Sequence, residues 1–191
     1  MINKPYKALI IGGSAGSFQV IVQILSNLPD HFPLPILLSL HRLKHVRNGF
    51  VEALSIKSKI KIVEPHDKQL IKPGIAYLAP ANYHMLVDID KRISLSTSMQ
   101  VNHSRPSIDL SFQTAAEVYR DKLVGVILSG ANKDGAYGLK KVYDNKGYTV
   151  VQDPNDSQIT TMPRAAMQLI KPDELLSIKG ISDFINQLKS L

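Results

Sequence analysis

The sequence of 191 residues contains no cysteine and no tryptophan, and aromatic residues make up only 6% of it. Without cysteine the chain can form neither a disulfide nor a thiolate nucleophile. No apolar run approaches the ~20 residues needed to cross a membrane. The N-terminus, Met1 to Lys7, lacks the apolar core and cleavage site of a signal peptide. These absences favour a cytoplasmic protein with no membrane insertion.

Acidic residues are outnumbered, since 23 Lys and Arg against 16 Asp and Glu give a formal charge of +7 at pH 7. A basic surface attracts anionic partners, either nucleic acid or an acidic protein surface. No nucleic-acid-binding motif accompanies the charge, so nucleic acid is not an expected partner. The 44% hydrophobic and 20% charged residues are typical of globular proteins, and the length predicts a single domain over residues 1–191.

Apolar runs that suit buried strands alternate with segments of helical periodicity. The predicted strands cover residues 7–11, 34–40, 60–63, 75–78, 123–128 and 148–152, and the predicted helices cover 17–28, 46–58, 106–121 and 136–145. This alternation predicts an α/β fold with a doubly wound, mainly parallel sheet and helices on both faces.

The remaining segments predict additions to that sheet. Residues 84–89 and 92–97 flank Asp90 and Lys91 and predict an antiparallel β-hairpin, which we expect at one edge of the sheet. A loop over 153–161 and two short helices after Met162 should follow the last strand, before residues 181–191 close the chain.

Three reactive side chains lie just past predicted strands. Ser14 comes after the first strand, His41 after the second, and Asp134 after the strand over 123–128. Ligands of doubly wound sheets collect at the carboxyl ends of the strands. We therefore expect these three side chains along one edge of the sheet.

Ser14 is the central residue of Gly12-Gly13-Ser14-Ala15-Gly16, which matches the G-x-S-x-G pattern of a nucleophile elbow. Glycines allow the tight strand-to-helix turn, and the N–H groups of the following helix suit a developing oxyanion. Two other interpretations compete. The segment could be a dinucleotide-binding loop in which Ser14 and Ser17 replace two glycines, or a glycine-rich turn with a capping serine and no chemistry.

The histidine and the aspartate also have ordinary structural interpretations. A lone histidine at a strand end is usually structural, and Asp134 could simply cap the next helix. In a functional site, Asp134 would accept the N–H of His41 and hold its ring. His41 and His45 have the spacing of zinc ligands on a helix, but no third ligand is evident, so no metal site is predicted.

With these residues in place, the chain resembles the catalytic domain of CheB, the chemotaxis protein-glutamate methylesterase. The resemblance runs from about Ala8 to Leu188 and depends on motifs that occur in order. They are Ile10-Ile11-Gly12-Gly13-Ser14-Ala15-Gly16, Leu40-His41, Ala79-Pro80-Ala81-Asn82-Tyr83-His84-Met85, Ser104-Arg105-Pro106-Ser107-Ile108-Asp109, Val124-Gly125-Val126-Ile127-Leu128-Ser129-Gly130, Asp134-Gly135-Ala136 and Met162-Pro163-Arg164-Ala165-Ala166.

The resemblance implies a role for each candidate residue. Ser14 would be the nucleophile, His41 the base and Asp134 the orienting carboxylate of a catalytic triad. The other candidates are backbone oxyanion donors at Ala15, Gly130 and Ala131 and substrate contacts from His84, Met85 and Arg105.

The implied reaction is hydrolysis of glutamate γ-methyl esters on methyl-accepting chemotaxis receptors, with release of methanol, and also deamidation of glutamine. No metal or organic cofactor is implied, and the implied partner is the glutamate-rich helical region of the receptor. Two alternatives stay open: an esterase or amidase with a substrate outside chemotaxis, and a non-catalytic binding module on the same fold.

The sequence also departs from the family. Ala15 follows the nucleophile where the family usually has a hydroxyl residue, Arg42 and Leu43 follow the histidine, and Ala131 stands where methionine is usual. The family usually carries an N-terminal phospho-receiver domain, whereas this sequence begins at the first catalytic strand. We therefore expect a stand-alone catalytic domain that a separate protein could regulate.

Overall fold

The computed structural model describes residues 5–42 and 49–188, and all structural statements refer to these residues. Their strands are β1 (Ala8–Gly13), β2 (Ile36–Leu40), β3 (Lys61–Val63), β4 (Ile75–Leu78), β5 (His84–Val87), β6 (Ile93–Ser96), β7 (Leu123–Ile127), β8 (Tyr148–Gln152) and β9 (Glu174–Leu176). Their α-helices are α1 (Phe18–Asn27), α2 (Phe50–Ser55), α3 (Ile108–Tyr119), α4 (Ala136–Asp144), α5 (Thr161–Leu169) and α6 (Ile178–Asn186).

Seven strands form one sheet in the order β3-β4-β2-β1-β7-β8-β9, and every neighbouring pair is parallel. On one side of β1 the chain places β2, then the edge strand β3, and then β4 between those two; it afterwards returns to the other side of β1 and adds β7, β8 and β9 in order. This confirms the predicted doubly wound, mainly parallel sheet. The winding reverses between β1 and β7, and ligands of such sheets bind at the carboxyl ends of the strands beside that point.

Alternate residues of the central strands supply two separate cores, because successive side chains of a strand point to opposite faces. Leu9 and Ile11 pack on one face with helices α1, α2 and α6. Ala8 and Ile10 pack on the other face with α3, α4 and α5. The predicted helices on both faces are confirmed, and burial on both faces explains why the strands read as continuous apolar runs.

The antiparallel hairpin is present, but it does not extend an edge of the main sheet. Strands β5 and β6 pair with each other as a separate two-stranded sheet. The hairpin packs on α3 instead: the Ser111 hydroxyl donates to the Met85 carbonyl over 2.8 Å, and the Val87 N–H donates to the Thr114 hydroxyl over 3.1 Å. The expected position was wrong because the apolar side chains of the hairpin complete the core around α3.

The segment after α5 also differs from the prediction. The second short helix is absent, and residues 174–176 form the edge strand β9. Pro172 disfavours helix at the residue before it, and the Asp173 carboxylate accepts hydrogen bonds from the backbone N–H and hydroxyl of Thr149, on the neighbouring strand. A three-residue strand with an exposed centre leaves little pattern in a sequence.

The helix predicted over 46–58 is only partly within the described residues. Its described part is α2, which ends at Ser55, and residues 46–48 lie outside the described ranges. Across residues 5–42 and 49–188, no helix is both long and apolar enough to cross a membrane.

Candidate active site

Ser14 lies in the turn that joins β1 to α1. Its N–H donates to the Ser129 carbonyl over 3.0 Å, and its carbonyl accepts from the Ser17 N–H over 3.0 Å and from the Ser17 hydroxyl over 2.7 Å. A Cβ at Gly13 would lie 2.6 Å from that hydroxyl, and Gly16 has a φ of +83°. The glycines are therefore required by the close approach and by the left-handed backbone, as a nucleophile elbow demands.

The loop after β7, the neighbour of β1 in the sheet, makes hydrogen bonds to the turn that carries Ser14. The Ser129 hydroxyl donates to the Ala15 carbonyl over 2.9 Å and accepts from the Ile159 N–H over 2.9 Å. The Ser129 N–H donates to the buried Gln152 side chain over 2.9 Å. These contacts join the ends of β1, β7 and β8 at one edge of the sheet.

His41 comes directly after β2, just as Ser14 comes directly after the neighbouring strand β1. Gly13 and Leu40 are register partners, and the His41 N–H donates to the Gly13 carbonyl over 3.3 Å. The His41 side chain is 14% exposed, and its Nε2 lies 2.7 Å from Asp134 Oδ2. The sequence prediction that Ser14, His41 and Asp134 follow neighbouring strands at one edge agrees with these positions.

Asp134 is completely buried, and its carboxylate accepts five hydrogen bonds. Oδ2 accepts from His41 Nε2 and from the Ile108 N–H, both over 2.7 Å. Oδ1 accepts from the Ser107 hydroxyl over 3.0 Å, from the Asp109 N–H over 3.1 Å and from Asn102 Nδ2 over 3.1 Å. Two of the donors are backbone groups at the N-terminus of α3, where the helix dipole favours a negative charge.

These donors decide the charge of Asp134. Burial alone would raise the pKa of its carboxyl, but the hydrogen bonds from His41, Ile108, Asn102 and Asp109 outweigh burial and hold the pKa below its ordinary value. Asp134 is therefore a carboxylate at neutral pH. An ionised acceptor fixes the proton of the neutral imidazole on Nε2 and leaves Nδ1 as the acceptor nitrogen.

A second buried carboxylate, Asp109, lies beside the first. Its Oδ1 accepts from the N–H groups of Gly135 and Gly138, over 2.8 and 2.7 Å, at the N-terminus of α4. Burial raises the pKa of Asp109, and the negative charge of Asp134 adds to this effect. The two helices thus exchange caps: Asp134, which precedes α4, caps α3, while Asp109, within α3, caps α4. The possibility that Asp134 caps the helix that follows it was wrong.

One link of the predicted triad is not formed in this structure. The Ser14 hydroxyl makes no hydrogen bond with His41 or with any other residue in the described ranges. His41 Nδ1 is the ring nitrogen that remains for Ser14. Catalytic hydrogen bonds are often long without substrate and tighten when it binds, so the arrangement is compatible with a triad that closes on the substrate.

The three predicted oxyanion donors differ in availability. The Gly130 N–H donates to the Ile159 carbonyl over 3.3 Å, so this group already has an acceptor. Ala15 and Ala131 are both exposed, and neither N–H donates to another residue of the described chain. These two groups stay candidates.

Two of the three predicted substrate contacts are wrong, because His84 and Met85 are completely buried. His84 Nδ1 accepts from the Ser107 N–H over 3.1 Å, and Nε2 donates to the Met99 carbonyl over 3.0 Å. His84 therefore supports the N-terminus of α3. Arg105 differs, because it lines a cavity of about 100 Å³ together with His41.

Four functional residues were not foreseen: Asn102, Ser107, Ile108 and Asp109 all support Asp134. A weak signal was present, since a serine after Pro106 at the predicted start of a helix is a typical N-cap. Nothing in the spacing indicated that this helix end faces Asp134.

In the described ranges, no group of three His, Cys, Asp or Glu side chains could hold a metal ion. His45, the second member of the pair with zinc-like spacing, lies outside those ranges.

The fold and the site together define a class: doubly wound α/β proteins with a serine elbow and a buried histidine–carboxylate pair at the carboxyl edge of the sheet. Comparison with known proteins then gives the family. The family model of CheB methylesterase matches residues 9–185, and this chain belongs to that family.

Individual relatives agree with this assignment. A protein of Leptospira interrogans, provisionally named as a protein-glutamate methylesterase/protein-glutamine glutaminase, is 45% identical over 183 residues, which cover 96% of this chain and 95% of the relative. The protein-glutamate methylesterase FrzG of Myxococcus xanthus is 32% identical over 96% of this chain but only 55% of its own length.

The fold is shared with a solved member of the family. The crystal structure of the Thermotoga maritima CheB methylesterase catalytic domain matches with a TM-score of 0.90 and 29% identity, over 96% of this chain and 99% of that one. The predicted fold class and family are confirmed.

Proposed function

We propose that this protein hydrolyses glutamate γ-methyl esters of methylated chemoreceptors in the cytoplasm, with Ser14 as nucleophile, His41 as base and Asp134 as the orienting carboxylate. The observation that carries the proposal is the 2.7 Å contact between His41 Nε2 and the buried Asp134 carboxylate, beside a serine elbow on the neighbouring strand. The names of the relatives support the reaction class.

In the first half of the reaction, Ser14 Oγ attacks the ester carbonyl carbon while its proton passes to His41 Nδ1. Asp134 stabilises the imidazolium through the Nε2–H, which stays in place throughout. Collapse of the tetrahedral intermediate breaks the bond to the methoxy oxygen, which takes the proton from Nδ1 and leaves as methanol.

In the second half, water attacks the acyl-enzyme and gives a proton to His41 Nδ1. That proton returns to Ser14 Oγ as the acyl bond breaks, and glutamate is released. Amide hydrolysis of glutamine follows the same steps with ammonia as the leaving group. The Leptospira relative is named for both activities.

The negative oxygen of both tetrahedral intermediates needs donors beside Ser14. The exposed N–H groups of Ala15 and Ala131 are suited to this role, and the N-terminus of α1 adds its partial positive charge. Because a backbone N–H is present in every non-proline residue, alanine can serve here in place of the side chains usual in the family.

The substrate would reach His41 from the cavity that Arg105 lines. The Arg105 guanidinium is held by Nη1, which donates to the Thr97 carbonyl over 2.6 Å and to the Ser98 carbonyl over 2.9 Å. A cation fixed in this way would attract the acidic surface of a receptor helix.

The decisive experiment measures methanol release from methylated receptors by the parent protein and by the Ser14→Ala variant. We expect turnover to fall to background in the variant, because no other group replaces the nucleophile, and a serine-directed fluorophosphonate to label Ser14 in the parent only. Ser26→Ala is the matched control, since Ser26 lies on α1 near its opposite end and, in the part of the chain that the structure describes, its hydroxyl bonds only to the Gln23 carbonyl.

Unchanged methanol release from Ser14→Ala would refute the assignment of the nucleophile. Labelling of Ser14 by the fluorophosphonate without methanol release from receptors would instead indicate an esterase or amidase with a different substrate. No labelling and no turnover in the parent would favour the binding module.

A further inference from the structure

Asn102 lies between the two buried carboxylates of the site. Its Nδ2 is 2.8 Å from Asp109 Oδ2 and 3.1 Å from Asp134 Oδ1. The amide must present its nitrogen at this point, because both neighbours are carboxylate oxygens and only the nitrogen carries hydrogens. Each of the two hydrogens therefore has one carboxylate as its acceptor.

The backbone around Asn102 fixes this position. Val101 and Ser104 exchange backbone hydrogen bonds of 3.2 and 2.9 Å, and the two residues between them have φ values of +50° for Asn102 and +59° for His103. Such a two-residue turn with positive φ at both central residues is a type I′ turn, where asparagine is favoured at the first position. The turn accounts for the residue type but not for the direction of the side chain.

We infer that Asn102 is a positioning residue for the hydrolysis: its amide nitrogen holds the Asp134 carboxylate in the orientation that His41 requires and separates it from Asp109. The inference rests on the proposed function. Without the two N–H groups, the paired carboxylates would repel each other or share a proton. A proton on this pair would remove the charge that stabilises the imidazolium of His41.

Among the groups that surround Asp109 and Asp134, Asn102 is the donor that bridges the two carboxylates. His41 faces Asp134 from the end of β2, while the other donors to the two carboxylates are backbone N–H groups and the Ser107 hydroxyl. Lys133 is exposed and lines a cavity of about 510 Å³ that Asn102 and Asp109 also line. In the described part of the chain, only Asn102 donates to both carboxylates with one group.

The test compares Asn102→Gly with Asn82→Gly in the full chain. Glycine keeps the positive φ of the turn and removes the whole side chain, the amide included. Asn82 has a similar φ of +67°, so the two variants lose the same atoms from similar backbones. We expect Asn102→Gly to lower kcat for methanol release by about tenfold to a hundredfold, with KM changed by less than about threefold, because the fault is one of orientation.

The pH profile separates positioning from a merely structural role. Loss of the Asn102 hydrogen bond raises the pKa of Asp134 toward its ordinary value, so the histidine–aspartate pair takes up a proton more readily. The acid limb of kcat/KM should therefore move to higher pH in Asn102→Gly and stay in place in Asn82→Gly. Asn102→Asp, which adds a third carboxylate of the same shape, should be less active at pH 7 than Asn102→Gly.

Asn102→Gly with a kcat within about twofold of Asn82→Gly and an unmoved acid limb would overturn the inference. So would an Asn102→Asp variant as active as the parent. Both outcomes assume a parent enzyme whose methanol release requires Ser14. Failure of the proposed function is a different result, because turnover would then persist in the Ser14→Ala variant.

Discussion

At the scale of single residues, the proposed chemistry depends on keeping one buried carboxylate charged. Five donors surround Asp134, and one of them, the His41 ring, is the group whose charge changes during the proposed reaction. The other four donors keep the carboxylate in one orientation whatever the charge of His41, and the hydrogen bond from His41 adds to the effect that lowers the pKa of Asp134. Such preorganisation avoids reorganising the site at the moment of reaction.

The first residue-scale prediction concerns Asp134→Asn. The amide can place an NH₂ group against His41 Nε2, which would then have to accept. The ring proton would move to Nδ1, and the nitrogen proposed as the base for Ser14 could no longer act as one. We expect kcat for methanol release to fall by about 10⁴-fold, the order found for the corresponding aspartate of a serine protease.

The control for this variant is Asp90→Asn, because Asp90 is exposed in the hairpin turn and its side-chain hydrogen bond and ion pair within the described ranges go to Arg92. Urea unfolding of both variants would establish that the asparagine at position 134 is tolerated in the fold. A rate within a few-fold of the parent would mean that Asp134 serves α3 as a cap and does not act through His41.

How much of the site could be predicted differs from residue to residue. Ser14, His41 and Asp134 could be proposed together because each lies in the segment after a strand, and the carboxyl ends of parallel strands meet at one edge. Asn102 could not be found in this way, because it lies in a turn after the hairpin, and only the packing of α3 brings that turn to Asp134. His84 was misassigned because a motif shows that a residue matters without showing whether it faces a substrate or a helix end.

At the scale of elements, α3 and α4 depend on each other for their N-terminal caps. The N-cap of α4 is Gly135, which has a φ of +99° and offers no side chain, so Asp109 supplies the acceptor from α3. Gly138 allows the close contact, since a Cβ there would lie 3.0 Å from the backbone of Asp109. The pair of helices therefore holds the Asp134 carboxylate as part of its own packing.

The element-scale prediction is that Asp109→Ala destabilises the protein by about 1–3 kcal/mol, because the buried N–H groups of Gly135 and Gly138 lose their acceptor. Relief of the repulsion from Asp134 offsets part of this loss. Asp144→Ala is the control, since Asp144 lies on α4, the helix that Asp109 caps, and within the described ranges its side chain makes an exposed pair with Lys140. Equal free energies of unfolding for the two variants in urea would argue against the exchanged caps.

The elements themselves were predictable where burial is complete. Strands β1, β2, β7 and β8 are buried along almost their whole length and read as apolar runs. Strand β9 was missed because it is short and lies at an edge of the sheet, where Leu175 is 43% exposed. The hairpin was recognised from its turn, but its packing against α3 was not. Alternation of apolar and polar residues in a strand shows which side is apolar and does not show which element covers that side.

At the scale of the whole molecule, the excess of positive charge bears on how a receptor is recruited. The chain carries +7 at pH 7, and Arg42 and Arg105 line the cavity beside His41. Long-range attraction of this kind acts on the encounter with an acidic partner and not on the bond-breaking step. Charge and catalysis can therefore be separated by experiment.

Salt should accordingly weaken the binding of receptors without slowing the hydrolysis of the bound ester. The screening length falls from about 10 Å at 0.1 M to about 3 Å at 1 M ionic strength, so the apparent KM for methylated receptors should rise over this range while kcat stays within about twofold. A small neutral methyl ester supplies the control, because it has no charge to attract and its KM should stay flat. If both substrates responded equally, the salt would be acting on the enzyme itself.

A KM for receptors that did not change with salt would mean that docking depends on short-range contacts, and the positive charge would then be a solvated surface with no part in recruitment.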